Sequence, residues 1–207
     1  MFNDSTPTDP LKKLRLQRAL DFINGLGPKQ RVLEIGFLGG AFCAELQRLG
    51  HEPHGIEVVP ELVENARRAF PGVDFIVGNC QEKLPYPDGM FDAVWAGEVI
   101  EHIGHTDVFV NEINRVLKVG GYVILTTPMH NRVKNLYVVL FNFERHFNPE
   151  FPHYRFYSKK SLTAVLERRG FKVAHVSYIG RFAPIANVFF LAAQKIGNKA
   201  VMSEHRY

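Results

Sequence analysis

The stretch VLEIGFLGG, Val32 to Gly40, sets an acid, Glu34, in a short apolar run that leads straight into a glycine-rich turn. This is how a parallel-sheet protein makes a nucleotide-sized pocket. The apolar run is a buried strand, the glycines let backbone pass close to a ligand, and the helix after them points free N–H groups at it. Glu57 ends the next strand about 20 residues later, where a carboxylate can accept both hydroxyls of a ribose. A second group of reactive residue types stands at Glu98, Glu101 and His102, spaced ExxEH. One helical turn would set the two acids on one side with the imidazole beside them. Imidazoles titrate near neutrality, which suits His102 to work as a general base.

Positioning these groups requires alternating strands and helices, and the pattern of the chain supplies them. Strands are expected over residues 31–35, 54–58, 74–77, 91–96 and 122–126. Asp9 caps a first helix that Pro10 opens and Gly25 or Gly27 stops. A second helix runs over 40–49, Pro60 opens a third, and Thr106 or Asp107 caps a fourth that Gly120–Gly121 ends. Ser158 caps a helix ending at Gly170, and strands come next over 171–178 and 188–193. The first five strands are therefore expected to be parallel. The last two, joined across 180–187 without a helix, are expected to pair antiparallel. The expectation is an α/β, doubly wound sheet in a single domain over residues 1–207.

Composition narrows the class. The 207 residues are 46% hydrophobic and 22% charged, ordinary for a globular chain with a real core. The net charge is +4 and the isoelectric point about 9.1, but the basic residues are scattered. The pairs at Lys12–Lys13, Arg67–Arg68, Lys159–Lys160 and Arg168–Arg169 read as solvated helix faces. Two cysteines, Cys43 and Cys80, with no CxxC spacing, fit a reducing compartment and argue against a structural zinc site. The N-terminal MFNDSTPTDP has no basic-then-apolar signal, and no apolar run approaches the ~20 residues that cross a bilayer. A cytoplasmic protein is expected.

The chain resembles the class I S-adenosylmethionine-dependent methyltransferases along nearly its whole length. The resemblance is carried by the glycine loop at 32–40 with Glu57, by VGNCQEKLPYPDGMFDAV at 77–94 and AGEVIEHI at 96–103, and by EINRVLKVGGYVILTTP at 112–128 and HYRFYSKKSLTAVLERRGF at 153–171. It implies a Rossmann-like seven-stranded sheet of order 3-2-1-4-5-7-6 with the last strand antiparallel, and S-adenosylmethionine as cofactor. On matching positions, Glu34, Gly36, Phe37, Gly39 and Gly40 would hold the methionine end. Glu57 would accept the ribose hydroxyls, and Val58 would pack on the adenine. Asn79 stands where the family usually has Asp, and its side-chain oxygen can accept the same bond from the adenine amino group. The Cys80 backbone N–H would meet a ring nitrogen, and Glu98 would lie over the methionine side. One departure stands out: Leu38 occupies a position where the family loop has glycine. A positive φ there would cost about 1–3 kcal/mol. The expectation is that Leu38 turns away and Gly39 supplies the flexibility. The competing reading is a non-catalytic binding protein with a degenerate loop.

The acceptor side is read from the residues beyond the fourth strand. Ala96, Gly97, Glu98 and Val99 stand where the amino-methylating branches carry a proline-proline-aromatic signature, which argues against a base or amide nitrogen as acceptor. ExxEH with a distant His153 is similar to ubiquinone-biosynthesis O-methyltransferases and small-RNA 3′-terminal 2′-O-methyltransferases. In those groups such a set can hold a divalent cation, and Glu98, Glu101, His102 and His153 are the corresponding residues here. The favoured reading uses no metal and makes His102 the catalytic base, with a hydrogen-bonded structural histidine as the alternative. The segment 129–152 is expected to cap the acceptor. Within it, 135–147 is dense in aliphatic and aromatic residues, with Arg132, Lys134 and Arg145 flanking, which suits a peripheral membrane contact. The expected activity is methyl transfer to oxygen of a small apolar or aromatic acceptor. A nucleic-acid partner is disfavoured, because the sequence has no dense basic stripe or RNA-binding module.

Overall fold

Strand β1, Arg31–Ile35, is buried at four of its five residues, the signature of a parallel strand covered by helices on both faces. Six more strands join it: β2 (Glu52–Glu57), β3 (Asp74–Val77), β4 (Phe91–Gly97), β5 (Leu117–Pro128), β6 (Phe171–Ile179) and β7 (Val188–Lys195). The computed structural model describes residues 10–148, 150, 153–180 and 188–197. Within these residues the strands form one sheet of order β3-β2-β1-β4-β5-β7-β6. The pairs β1–β2, β1–β4, β2–β3 and β4–β5 are parallel, and β7 runs antiparallel to both β5 and β6. The expected α/β fold and strand order are both borne out.

Helices α1 (Pro10–Gly25), α2 (Ala41–Arg48), α3 (Pro60–Ala69), α4 (Thr106–Val116) and α7 (Lys159–Glu167) cover the sheet, and α5 (Arg132–Phe141) with α6 (Phe143–His146) comes after β5. Adjacent strand residues serve opposite faces. Val32 joins Ala19, Leu20 and Ile23 of α1 in one cluster with Trp95 and Phe190. Leu33, one residue on, joins Phe109, Ile113 and Val116 of α4 and Leu162 and Leu166 of α7 in the other. Each such large side chain, fully buried, contributes roughly 1.5–3 kcal/mol. The order of the strands reverses between β1 and β4, so their carboxyl ends part and leave a crevice there.

Several boundaries differ from expectation for local reasons. Helix α4 ends at Val116, before Gly120–Gly121, because Leu117 already takes extended backbone and pairs with Phe91. Residues 118–121 then bulge opposite Asp92 before the register resumes at Ala93 and Tyr122. Gly120 takes φ 87 within this bulge, and a Cβ on Gly121 would lie 2.9 Å from the Asp92 carbonyl oxygen. The loose carbonyls at the end of α4 are met from β7 instead: the buried Lys195 ammonium donates to Asn114 O (2.6 Å) and Leu117 O (2.8 Å). The N-cap of α4 is His105, and neither Thr106 nor Asp107. Strand β2 starts at Glu52, where Arg31 pairs with it in register and by a 2.9 Å ion pair, so Val58 falls just beyond the strand. Ser158 does cap α7, in a reciprocal box with Ser161, but the helix ends at Glu167. The Asp9 cap and most of the 180–187 link lie outside the described residues.

Candidate active site

A cavity of about 1070 Å³ opens at the carboxyl ends of β1, β2 and β4. That is enough for a nucleoside and part of a second reactant. Glu34 and Ile35 of β1, the loop from Gly36 to Gly39, Glu57 at the end of β2 and Val58 beyond it, Asn79 and Cys80 after β3, Gly97 at the end of β4, and Glu98 and His102 beyond it all line it.

Glu34 lies in its floor, only 4% exposed. The Cys43 thiol on α2 donates to its Oε2 at 3.1 Å. Burial pushes the Glu34 carboxyl up to about 8, partly offset by that thiol bond and by the charge of Lys12. A carboxyl held in this state answers a cation brought beside it by ionising.

The loop after β1 alternates its backbone hand: Gly36, Leu38 and Gly40 have φ of 74°, 53° and 76°. Leu38 therefore adopts the left-handed conformation itself, and Gly39, which has open space where a Cβ would sit, does not supply it. The leucine side chain is 55% exposed, and the cavity persists beside it. Its backbone carries a strain of about 1–3 kcal/mol, against which a glycine would lose about 0.5–1 kcal/mol through the unfolded chain. Leu38→Gly is accordingly expected to raise the unfolding free energy by about 1 kcal/mol. A urea titration checks this, and a loss of stability would refute the assignment of strain to this residue.

Glu57 ends β2 with its carboxylate fixed by the loop ahead of it: Val58 N and Val59 N donate to Oε1 at 2.8 and 3.2 Å. Asn79 forms a turn of its own, its Oδ1 accepting from Gln81 N (3.0 Å) and its Nδ2 donating to Glu82 Oε1 (3.0 Å). The second lone pair of that oxygen is the acceptor left for a ligand. Burial raises the Cys80 thiol to about 11, so it is a packing residue and not a nucleophile.

Past β4 the chain does not make the helical turn suggested by ExxEH. Glu98 has φ 56°, and a short 3-10 turn comes next at Ile100–His102. Glu98 lies 3.7 Å from Arg15 of α1, while Glu101 and His102 turn towards His153. The ligand atoms of Glu101, His102 and His153 all lie within 4.8 Å of one another, and the two imidazole rings meet at 4.9 Å. Glu101 is 1% exposed and neither carboxylate oxygen has a hydrogen-bond partner among the described residues. Burial first, and the Glu98 charge second, push its carboxyl up to about 7. Three of the four residues considered as metal ligands are thus brought together, and Glu98 is engaged elsewhere.

Main-chain bonds hold His153 and its neighbours in place. Tyr154 N and Arg155 N both donate to the Glu101 carbonyl (2.9 and 3.1 Å), and His130 N donates to Tyr157 O (3.1 Å). Met129 and Tyr157 form a parallel bridge. Between these points run α5 and α6, and Asn131 caps α5 by accepting from Lys134 N at 2.9 Å.

Residues 33–125, from β1 into β5, match the family model described as a methyltransferase domain. Residues 33–125 thus carry a methyltransferase domain, and the sheet order is the one that the resemblance to class I S-adenosylmethionine-dependent methyltransferases implies. A ubiquinone biosynthesis O-methyltransferase of Xanthomonas oryzae pv. oryzae is 34% identical over 101 residues, covering 47% of this chain and 42% of that protein. The mitochondrial ubiquinone biosynthesis O-methyltransferase of Mus musculus is 30% identical over 159 residues, covering 71% of this chain and 42% of that protein. The chain thus spans well under half the length of these relatives. Among solved structures, a methyltransferase from Methanosarcina mazei superposes with a TM-score of 0.68 at 23% identity, covering 85% of this chain and 97% of that one. An S-adenosylmethionine-dependent methyltransferase from Mesorhizobium loti gives 0.69 at 16% identity, covering 89% and 99%. At these identities the likeness speaks for the fold.

Nine of the ten residues expected on the cofactor side border the cavity: Glu34, Gly36, Phe37, Gly39, Glu57, Val58, Asn79, Cys80 and Glu98. The tenth, Gly40, is a packing residue, since a Cβ there would sit 2.7 Å from the Phe75 ring and 3.1 Å from Ala66 Cβ. On α1, Lys13 is exposed and Lys12 and Arg15 half-buried, and all three border the cavity that Glu34 and Glu57 also line. The hint in the sequence was a cluster of cations on one helix, but only the packing of α1 over the sheet tells which way it faces.

Proposed function

We propose that this chain transfers a methyl group from S-adenosylmethionine to an oxygen of a small apolar or aromatic acceptor. The observation that carries the reading is one cavity lined together by Glu34, Glu57 and His102. S-adenosylmethionine, when bound, supplies a methyl group already activated on a sulfonium, so positioning carries much of the catalysis. Glu34 receives the ammonium of the amino-acid part, and Lys12 and Arg15 suit its carboxylate. Glu57 receives the ribose hydroxyls, and Asn79 and Val58 the adenine. His102 accepts the proton of the acceptor hydroxyl. The curated relatives are named O-methyltransferases, which supports oxygen as the acceptor atom.

A second reading of the acceptor end rests on Glu101. A buried carboxylate beside two imidazoles is a donor set that fits Mg²⁺, Mn²⁺ or Zn²⁺. Glu101, His102 and His153 would hold such an ion, which would ease loss of the acceptor proton.

Calorimetric titration with S-adenosylmethionine tests the cofactor end. Glu34, with its carboxyl near 8 when the cavity is empty, must ionise against an incoming ammonium. Binding therefore releases a proton between about pH 5 and 8, and affinity rises with pH across that window. The observed heat should differ between buffers of different ionisation enthalpy, and Glu34→Gln should abolish the difference. Absence of binding at millimolar cofactor would favour the degenerate, non-catalytic relative.

A further inference from the structure

The acid in the cavity floor has a thiol for a neighbour. Cys43 stands in the first turn of α2 and is wholly buried. Its Sγ lies 3.1 Å from Glu34 Oε2 and 3.7 Å from the His54 carbonyl oxygen of β2. A thiol has one proton to donate, so these two acceptors compete for it. The groups that face Glu34 from the surrounding elements are this thiol of α2, Lys12 of α1 and Glu57 of β2, the last opposing its ionisation.

The strength of the thiol contact depends on the state of the acid. A donor facing a carboxylate forms a charge-assisted bond, about twice as strong as one to a neutral carboxyl. While Glu34 keeps its proton, the His54 carbonyl competes on nearly even terms. Once Glu34 ionises, the thiol turns to Oε2. The bond therefore favours the ionised form, which is the form an incoming ammonium requires. Burial first, and the Glu34 charge second, hold the Cys43 thiol well above its ordinary range, so it stays a donor while Glu34 titrates. We propose that Cys43 is a positioning residue for cofactor binding, its thiol holding Glu34 Oε2 and securing the carboxylate that receives the ammonium of the amino-acid part. This role rests on the methyl-transfer reading, in which Glu34 receives that ammonium. Cys43 also belongs to the apolar cluster of Phe37, Val63 and Phe75, and a purely packing role would give a different response to pH.

Calorimetric titration of the full chain with S-adenosylhomocysteine, which has the same amino-acid part, tests this between about pH 6 and 9.5. The ratio of parental to Cys43→Ala affinity cancels the titration of the ligand's own amino group. Below about 8, where Glu34 is protonated in the empty cavity, ionisation is part of binding. There the alanine variant should bind about tenfold more weakly. At about pH 9.5 Glu34 is largely ionised before binding in both proteins, and the ratio should fall to within about twofold. A packing defect would lower affinity by a similar factor at every pH. Cys43→Ser keeps a donor and should restore parental affinity at about pH 6. On the parent chain, an infrared S–H stretching band should move to lower frequency when the ligand binds at about pH 6, as the carboxyl becomes a carboxylate. Glu34→Gln should remove that movement. An affinity ratio that does not change with pH, a serine variant no better than the alanine one, or an unmoved S–H band would overturn the role of the thiol and leave cofactor binding standing. A parent chain that does not bind S-adenosylhomocysteine at all would overturn the methyl-transfer reading and this role together.

Discussion

Glu57→Ala is expected to weaken S-adenosylmethionine binding about a hundredfold or more. Each hydrogen bond from a hydroxyl to a carboxylate in such a setting contributes roughly 1.5–3 kcal/mol, and two are lost together. The fold should survive. The side chain accepts from Val58 N and Val59 N, and Val59 is the N-cap of α3, so its loss resembles removal of a cap and costs about 1 kcal/mol. Both amides sit at the lip of an open cavity where water can replace the carboxylate. Glu57→Gln provides the control, because it keeps an oxygen for the amides while weakening the ribose contact. Calorimetry of the two variants beside a urea titration separates the effects, and an unchanged affinity for Glu57→Ala would remove the ribose assignment.

The second large effect concerns turnover. His102→Ala should reduce the rate of methyl transfer to a catechol probe by roughly 10²- to 10⁴-fold while leaving cofactor affinity within a few-fold of the parent, as expected for loss of a general base. Glu101→Gln distinguishes the two readings of this end of the cavity. If His102 acts without a metal, the amide removes only a buried carboxyl, turnover falls modestly, and excess EDTA changes nothing. If Glu101, His102 and His153 hold a cation, Glu101→Gln and EDTA each abolish turnover, and added Mg²⁺ or Mn²⁺ restores only the chelated enzyme. A fully active His102→Ala would exclude both.

How far the sequence could be read depended on the range of the interactions. Strand β1 was legible because a buried parallel strand is apolar throughout, and Glu57 because its distance from the glycine loop is set by one strand–helix–strand unit. The end of α4 was misjudged because Gly120–Gly121 is also a helix-stop signal, while the pairing of Leu117 with Phe91 that ends the helix early is a non-local event. ExxEH suggested a helical turn, but the left-handed backbone at Glu98 breaks the periodicity on which that reading rested. Leu38 was expected to hand its strain to Gly39, and a single sequence offers no means of telling which of two adjacent residues bends. The bond from Cys43 to Glu34 depends on how α2 packs against β1. The same holds for the cations of α1. The apolar character of 135–147 was plain, but whether it faced core or solvent depended on the polar partners, His130 and Glu98, that claim the inner side of α5.

The fastening of residues 129–157 has an evolutionary consequence. Both ends of this segment are clasped by main-chain groups: Tyr154 and Arg155 to Glu101, His130 to Tyr157, and Met129 beside Tyr157. Peptide groups are the same in every residue other than proline, so these clasps are indifferent to the identity of the side chains strung between them. A lineage could rewrite or lengthen residues 131–153 wholesale without unbuttoning the sheet, as a frame accepts a new canvas. The sheet and the crevice at its carboxyl ends would be inherited unaltered.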